Sequence, residues 1–134
     1  MGTAIAERLL DAGYELRVFN RTARKADELV GRGATAAESA QALASEVDVV
    51  LTSLPDDDAF EAVAGEVAGS ARPGSVLVDI STVSPAASER VAASAEDASV
   101  DYLRAPVSGN PSVVRAGKLT FIVSSSVPLI TGIA

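Results

Sequence analysis

Apolar positions recur along this chain in two alternating rhythms. Between Thr3 and Ala12 the spacing is helical: Ile5, Leu9 and Ala12 fall at i, i+4 and i+7, with Ala6 and Leu10 beside them. Gly13 stands where a left-handed residue ends such a helix. From Glu15 to Asn20 the rhythm shortens to two, with Leu16, Val18 and Asn20 set against Arg17 and Phe19, which predicts a strand. Helical spacing returns from Ala23 to Val30, with Thr22 as candidate cap and Gly31 and Gly33 as stops. A short strand at Ala34 to Ala36 and a weak helix at Glu38 to Ala44 follow. Val47 to Leu54 is an apolar run of the kind buried in a parallel sheet. Pro55-Asp56-Asp57-Asp58 reads as a turn, with Asp57 or Asp58 capping a helix to about Ala68. Arg72-Pro73-Gly74 turns the chain into a second buried strand, Ser75 to Ile80. Ser84 is placed as N-cap and Pro85 as first residue of a helix to about Asp97. Asp101 to Pro106 and Leu119 to Ser124 read as further strands.

Strands alternating with helices predict a doubly wound α/β sheet. In such sheets ligands bind just past the carboxyl ends of the strands. Ser81, Thr82 and Ser84 follow a strand end, so they are expected to face a ligand crevice. Composition agrees with this architecture. Of 134 residues, 48% are hydrophobic and only 4% aromatic, so the core must be Ala, Val and Leu, which suits close packing of helices on a parallel sheet. A net charge of −7 argues against nucleic acid and anionic membrane surfaces as partners. The absence of cysteine excludes disulfides and thiolate chemistry, and the absence of histidine removes the commonest general base and metal ligand. With the carboxylates scattered along helices, no metal site is expected. No apolar run reaches membrane-spanning length, and no basic segment precedes an apolar one, so a cytoplasmic, soluble protein is the default.

A dinucleotide fold opens with a strand, then Gly-x-Gly-x-x-Gly, then a helix. Here the chain opens on Met1-Gly2 and the helix directly. Asn20 lies eighteen residues after Gly2, close to where an acidic residue would read the adenine ribose. Six stretches then carry a resemblance: Met1-Gly2 with its helix, Phe19-Asn20-Arg21-Thr22, Leu54-Pro55-Asp56, Val78 to Pro85, Ala105-Pro106-Val107-Ser108-Gly109, and Gly117-Lys118-Leu119-Thr120. The chain resembles the cofactor-binding domain of the β-hydroxyacid dehydrogenase family, which includes 3-hydroxyisobutyrate dehydrogenase, tartronate semialdehyde reductase and 6-phosphogluconate dehydrogenase. The pair Ser-Thr-Val-Ser-Pro and Ala-Pro-Val-Ser-Gly makes the resemblance specific.

The resemblance implies a Rossmann-type NAD(P)-binding domain over residues 1–124. It also implies hydride transfer between nicotinamide and a small 3-hydroxy acid resembling 3-hydroxyisobutyrate. Gly2 would meet the pyrophosphate at the start of its helix. Asn20, Arg21 and Thr22 would hold the adenine ribose. An acid at position 20 would repel a 2′-phosphate, whereas Asn20 does not and Arg21 offers it a planar cation, so NADP is expected over NAD. Leu54 and Pro55 would line the nicotinamide ribose. Thr82 would contact the nicotinamide end, with Ser81 beside the substrate. Ser108, Gly109 and Asn110 would form the substrate-carboxylate loop, Asn110 standing where many members have glycine. A left-handed backbone at that position is one that asparagine tolerates. A 6-phosphogluconate dehydrogenase or imine reductase relative, or a non-catalytic NADP-binding fragment, is the alternative.

In that family the base is a lysine on a long helix after the substrate loop. Lys25 and Lys118 are the only lysines, and neither matches, so no catalytic residue is expected within the chain. The family's all-α C-terminal domain, through which the intact protein would form a homo-oligomer, is likewise expected to be absent. Residues 125–134 depart from the family pattern, as a frameshift, early stop or misplaced gene end would produce. The first strand of the sheet is also expected to be missing. In the order 3-2-1-4-5-6 it separates the strand at Leu16 from that at Val47. Its loss would expose Val49, Val50 and Leu51 on an open edge, leaving the 134-residue chain alone poorly soluble or molten.

Overall fold

The computed structural model describes residues 1–124 and runs as α1 (Gly2–Asp11), β1 (Arg17–Val18), α2 (Arg24–Gly31), β2 (Thr35–Ala36), α3 (Ala40–Glu46), β3 (Val49–Thr52), α4 (Asp57–Ser70), β4 (Val76–Asp79), α5 (Pro85–Asp97), β5 (Asp101–Arg104), β6 (Val107–Ser108), α6 (Pro111–Arg115) and β7 (Thr120–Phe121). The divergent tail at 125–134 lies outside the described residues.

β3, β4 and β5 form the central parallel sheet, with Val49 opposite Val76 and Val76 opposite Asp101. β1 and β2 pair in parallel as a separate unit, and β6 and β7 form an antiparallel pair. Among the described residues neither β1 nor β2 pairs with β3.

One face of the sheet is covered by α3, α4 and α5. Val50 and Leu77 pack there with Ala44, Phe60, Ala64, Ala87 and Val91. Alanines at the helix contacts allow the close approach that an aromatic-poor sequence needs. The other face holds a smaller cluster of Ala4, Ile5, Ile80 and Val114, with Val78 and Leu119 against it. Glu7, buried on α1, binds Arg115 of α6 at 3.3 Å and Arg32 at 3.2 Å, tying these outer helices together.

Four expectations need correction. Val47 to Leu54 is not buried throughout: Val49 is 60% and Leu51 40% exposed, whereas Val50 is buried. β3 has a covered face and an open one, so the pleat sorts its apolar residues. Asp56, rather than Asp57 or Asp58, caps α4, its Oδ1 accepting from Ala59 N at 2.8 Å. Thr22 makes no side-chain cap on α2; Asn20 Oδ1 instead accepts from Thr22 N at 3.0 Å. Asn110 is extended, with φ −138°, because its Oδ1 caps α6 by accepting from Val113 N at 3.1 Å. The left-handed backbone falls one residue earlier, at Gly109 with φ 144°.

Candidate functional site

The loops leaving β3 and β4 are joined by side chains where the strands stop. Thr52 Oγ1 donates to Asp79 Oδ1 at 2.8 Å. The backbone and hydroxyl of Ser81 donate to the same oxygen, at 3.1 and 2.7 Å. Ser81 Oγ in turn accepts from Leu54 N at 2.8 Å. Three residues further along both loops, Asp57 Oδ1 accepts from Ser84 N at 2.9 Å, and Arg104 of β5 donates to the Val83 carbonyl at 3.0 Å. Hydrogen bonds from Ser84, its side chain first and its backbone second, hold the Asp57 carboxyl below the usual aspartate value.

This network separates the two neighbouring hydroxyls assigned from sequence. Ser81 is 4% exposed, and its hydroxyl is committed as donor and acceptor within the protein. Thr82 is exposed and, among the described residues, makes no side-chain hydrogen bond. Thr82 is therefore the member of the pair open to a ligand, and Ser81 holds the turn.

The start of α1 lies against the end of the same strand. A β-carbon on Gly2 would stand 3.1 Å from Ser53 Cβ, so no larger residue fits without displacing that loop. Past β1, the Asn20–Thr22 bond closes an Asx turn that leaves Arg21 exposed. No carboxylate shares that turn, and Arg21 forms no ion pair among the described residues.

On the far side, Ala105 N donates to the Asp79 carbonyl at 2.7 Å, carrying β5 past its end. The chain turns there into β6, whose Ser108 is exposed opposite Thr120. Gly109 is wedged beside Leu119 and Val113, at 3.1 and 3.2 Å from where a β-carbon would stand. A positive φ and this crowding both require glycine. Lys118 is exposed after α6 and Lys25 lies on the exposed face of α2. No group of three potential metal ligands occurs among the described residues, and no helix there is long and apolar enough to cross a membrane.

Asp79, Asp57 and Arg104 were not singled out as site residues from sequence. The available signal was Asp79 itself, a carboxylate closing the otherwise apolar run Val76 to Val78.

A parallel sheet, helices on both faces, a glycine at the first helix start and hydroxyls past the strand ends define a Rossmann-type dinucleotide-binding domain. A family model described as the NAD binding domain of 6-phosphogluconate dehydrogenase matches residues 1–132, and the chain belongs to that family. It is 36% identical over 129 residues to 2-(hydroxymethyl)glutarate dehydrogenase of Eubacterium barkeri, covering 94% of this chain and 43% of the relative. Among solved structures, 3-hydroxyisobutyrate dehydrogenase of Mycobacterium tuberculosis with L-serine is similar at TM-score 0.87 and 32% identity, over 92% of this chain and 43% of that one. Psf3 in complex with NADP+ and 2-OPP is similar at TM-score 0.90 and 32% identity, over 98% and 48%. The chain thus spans under half the length of the proteins it matches.

Proposed function

We propose that this chain is the NADP-binding half of a dehydrogenase acting on a small 3-hydroxy acid of the 3-hydroxyisobutyrate type. The observation that carries the cofactor choice is the Asx turn at Asn20, which presents Arg21 without an accompanying carboxylate. A ribose 2′-phosphate meets a cation there and no repelling charge. The crowded approach of Gly2 to Ser53 fits a pyrophosphate held on backbone N–H groups at the start of α1. The nicotinamide ring, when bound, supplies the hydride acceptor or donor. Leu54, Pro55 and Thr82 line its end of the crevice, and Ser108 with the Gly109 backbone donates hydrogen bonds to the substrate carboxylate.

Hydroxy-acid chemistry is favoured over a phosphorylated sugar acid by the commitments of the nearby cations. Arg104 is bound to the Val83 carbonyl and Arg115 to Glu7, so neither is placed to hold a second phosphate. The two lysines lie outside the strand-end loops, so proton transfer from the substrate hydroxyl is assigned to neither.

Calorimetric titration with NADP+ and NAD+ tests the cofactor assignment: tighter binding of NADP+ supports it, and equal or reversed affinity overturns it. Oxidation of 3-hydroxyisobutyrate against 6-phosphogluconate, by a protein carrying this domain, tests the substrate class. Binding of NADP+ with turnover of neither acid would favour the second reading, a nucleotide-binding module without catalysis.

A further inference from the structure

The Cα register of β3 against β4 pairs residues 27 apart, as in Thr52 with Asp79. The same separation continues beyond the strands, in Leu54 with Ser81 and in Asp57 with Ser84. Side chains therefore extend the ladder where backbone pairing has stopped. Asp79 anchors this extension. It is 0% exposed, and one carboxylate oxygen accepts three hydrogen bonds while the other, Oδ2, has no partner among the described residues. A buried unpartnered polar atom is destabilising, and a valine, as at positions 76 and 78, would serve the core better. The carboxylate is explained by what it holds, namely the ends of two loops.

We propose that Asp79 is a positioning residue for the nicotinamide side of the crevice. Through Thr52 and Ser81 it locks the Leu54–Pro55 loop to the Ser81–Val83 turn, so that Thr82 is presented on a rigid rim. This rests on the NADP reading above. The 2′-phosphate end of the adenosine, assigned to Asn20–Thr22 past β1, is independent of the clamp. The clamp therefore makes a selective prediction that general destabilisation does not.

The test compares NADP+ with adenosine 2′,5′-bisphosphate as ligands of the full chain at low protein concentration. The variants are Asp79→Asn, the near-isosteric Thr52→Val, and Thr52→Ser, which keeps the hydroxyl. Loss of the clamp should weaken NADP+ by roughly tenfold, the scale of one hydrogen bond to a charged group. Adenosine bisphosphate binding should be unchanged, and Thr52→Ser should restore NADP+ affinity. Hydrogen exchange read by mass spectrometry should show faster exchange at Leu54 in Asp79→Asn and Thr52→Val and not in Thr52→Ser. Parallel weakening of both ligands, or no change in either, overturns the clamp. If the wild-type chain fails to bind adenosine bisphosphate, the NADP assignment falls, and the clamp with it.

Discussion

Gly2 faces Ser53 across the start of α1 and the end of β3: a β-carbon added to Gly2 would stand 3.1 Å from Ser53 Cβ and 3.3 Å from its hydroxyl. The contact brings a helix N-terminus to the ligand edge of the sheet. Gly2→Ala should therefore push the two apart. Alanine gains at most about 1 kcal/mol of helix propensity, so folding stability should change little. NADP+ affinity should fall by roughly tenfold, because the backbone N–H groups no longer approach the pyrophosphate. Calorimetric titration beside a thermal melt separates the two effects.

Arg21 follows from the turn that exposes it. Arg21→Glu places a carboxylate where the 2′-phosphate is expected, repelling it and offering an acceptor to a ribose 2′-hydroxyl. The ratio of NADP+ to NAD+ affinity should drop by at least about tenfold, and wild-type preference should weaken with added salt. An unchanged ratio would remove Arg21 from the cofactor site.

α5 ends differently from its neighbours. α1, α2 and α6 each close on a positive-φ glycine, at Gly13, Gly33 and Gly117. α5 closes with the same pattern, Ser99 N donating to the Glu96 carbonyl at 3.0 Å and Val100 N to that of Ala95 at 2.8 Å, but on a serine with φ 58°. A side chain in that conformation is strained by about 1 kcal/mol or more. Ser99→Gly should stabilise the fold by about 0.5–1 kcal/mol, net of the greater freedom of glycine in the unfolded chain. A midpoint shift to lower denaturant would contradict this.

Acid should loosen the contact between α4 and α5. Asp57 is held below 3.8 mainly by hydrogen bonds from Ser84, and Glu61 below 4.5 mainly by its hydrogen bond with Arg90. Both carboxyls have folded values lowered from the unfolded ones. Their stabilisation is therefore complete above the unfolded values and is lost as pH falls through the folded ones. Unfolding followed between neutral pH and pH about 3 should show a smaller acid loss in Asp57→Asn/Glu61→Gln than in wild type. Both groups face solvent, so the difference should be small.

The open edge of β3 should govern solubility. Val49 and Leu51 are exposed on this strand, which among the described residues pairs only with β4. Leu51→Lys should raise the concentration at which the chain stays monomeric in light scattering, since a charge on an edge strand opposes edge-to-edge pairing. Val50→Lys, placing the charge in the buried cluster, should instead unfold the domain.

Local pattern alone determined a good deal of this protein. The helix at Pro85 could be read because Ser84 and Pro85 carry their own cap and first-turn geometry. The strands at Val49 and Val76 could be read because apolar runs bounded by turn residues have few other uses. Gly2, Asn20, Arg21 and Thr82 were expected as cofactor contacts from a family resemblance carried by short motifs, which are read without coordinates.

Tertiary structure decided the rest. Ser81 and Thr82 are adjacent hydroxyls with equal claims in sequence; only the neighbouring strand, through Leu54 and Asp79, commits one and leaves the other open. Asp56 capped α4 in place of its neighbours because cap choice depends on where the backbone turns, which three consecutive aspartates leave open. The pairing of residues 27 apart is set by strand register, a property of two segments together. Sequence pattern records what each segment prefers by itself. Which donor meets which acceptor across a sheet is decided when the segments pack, because hydrogen bonds are short and directional and their partners lie far apart along the chain.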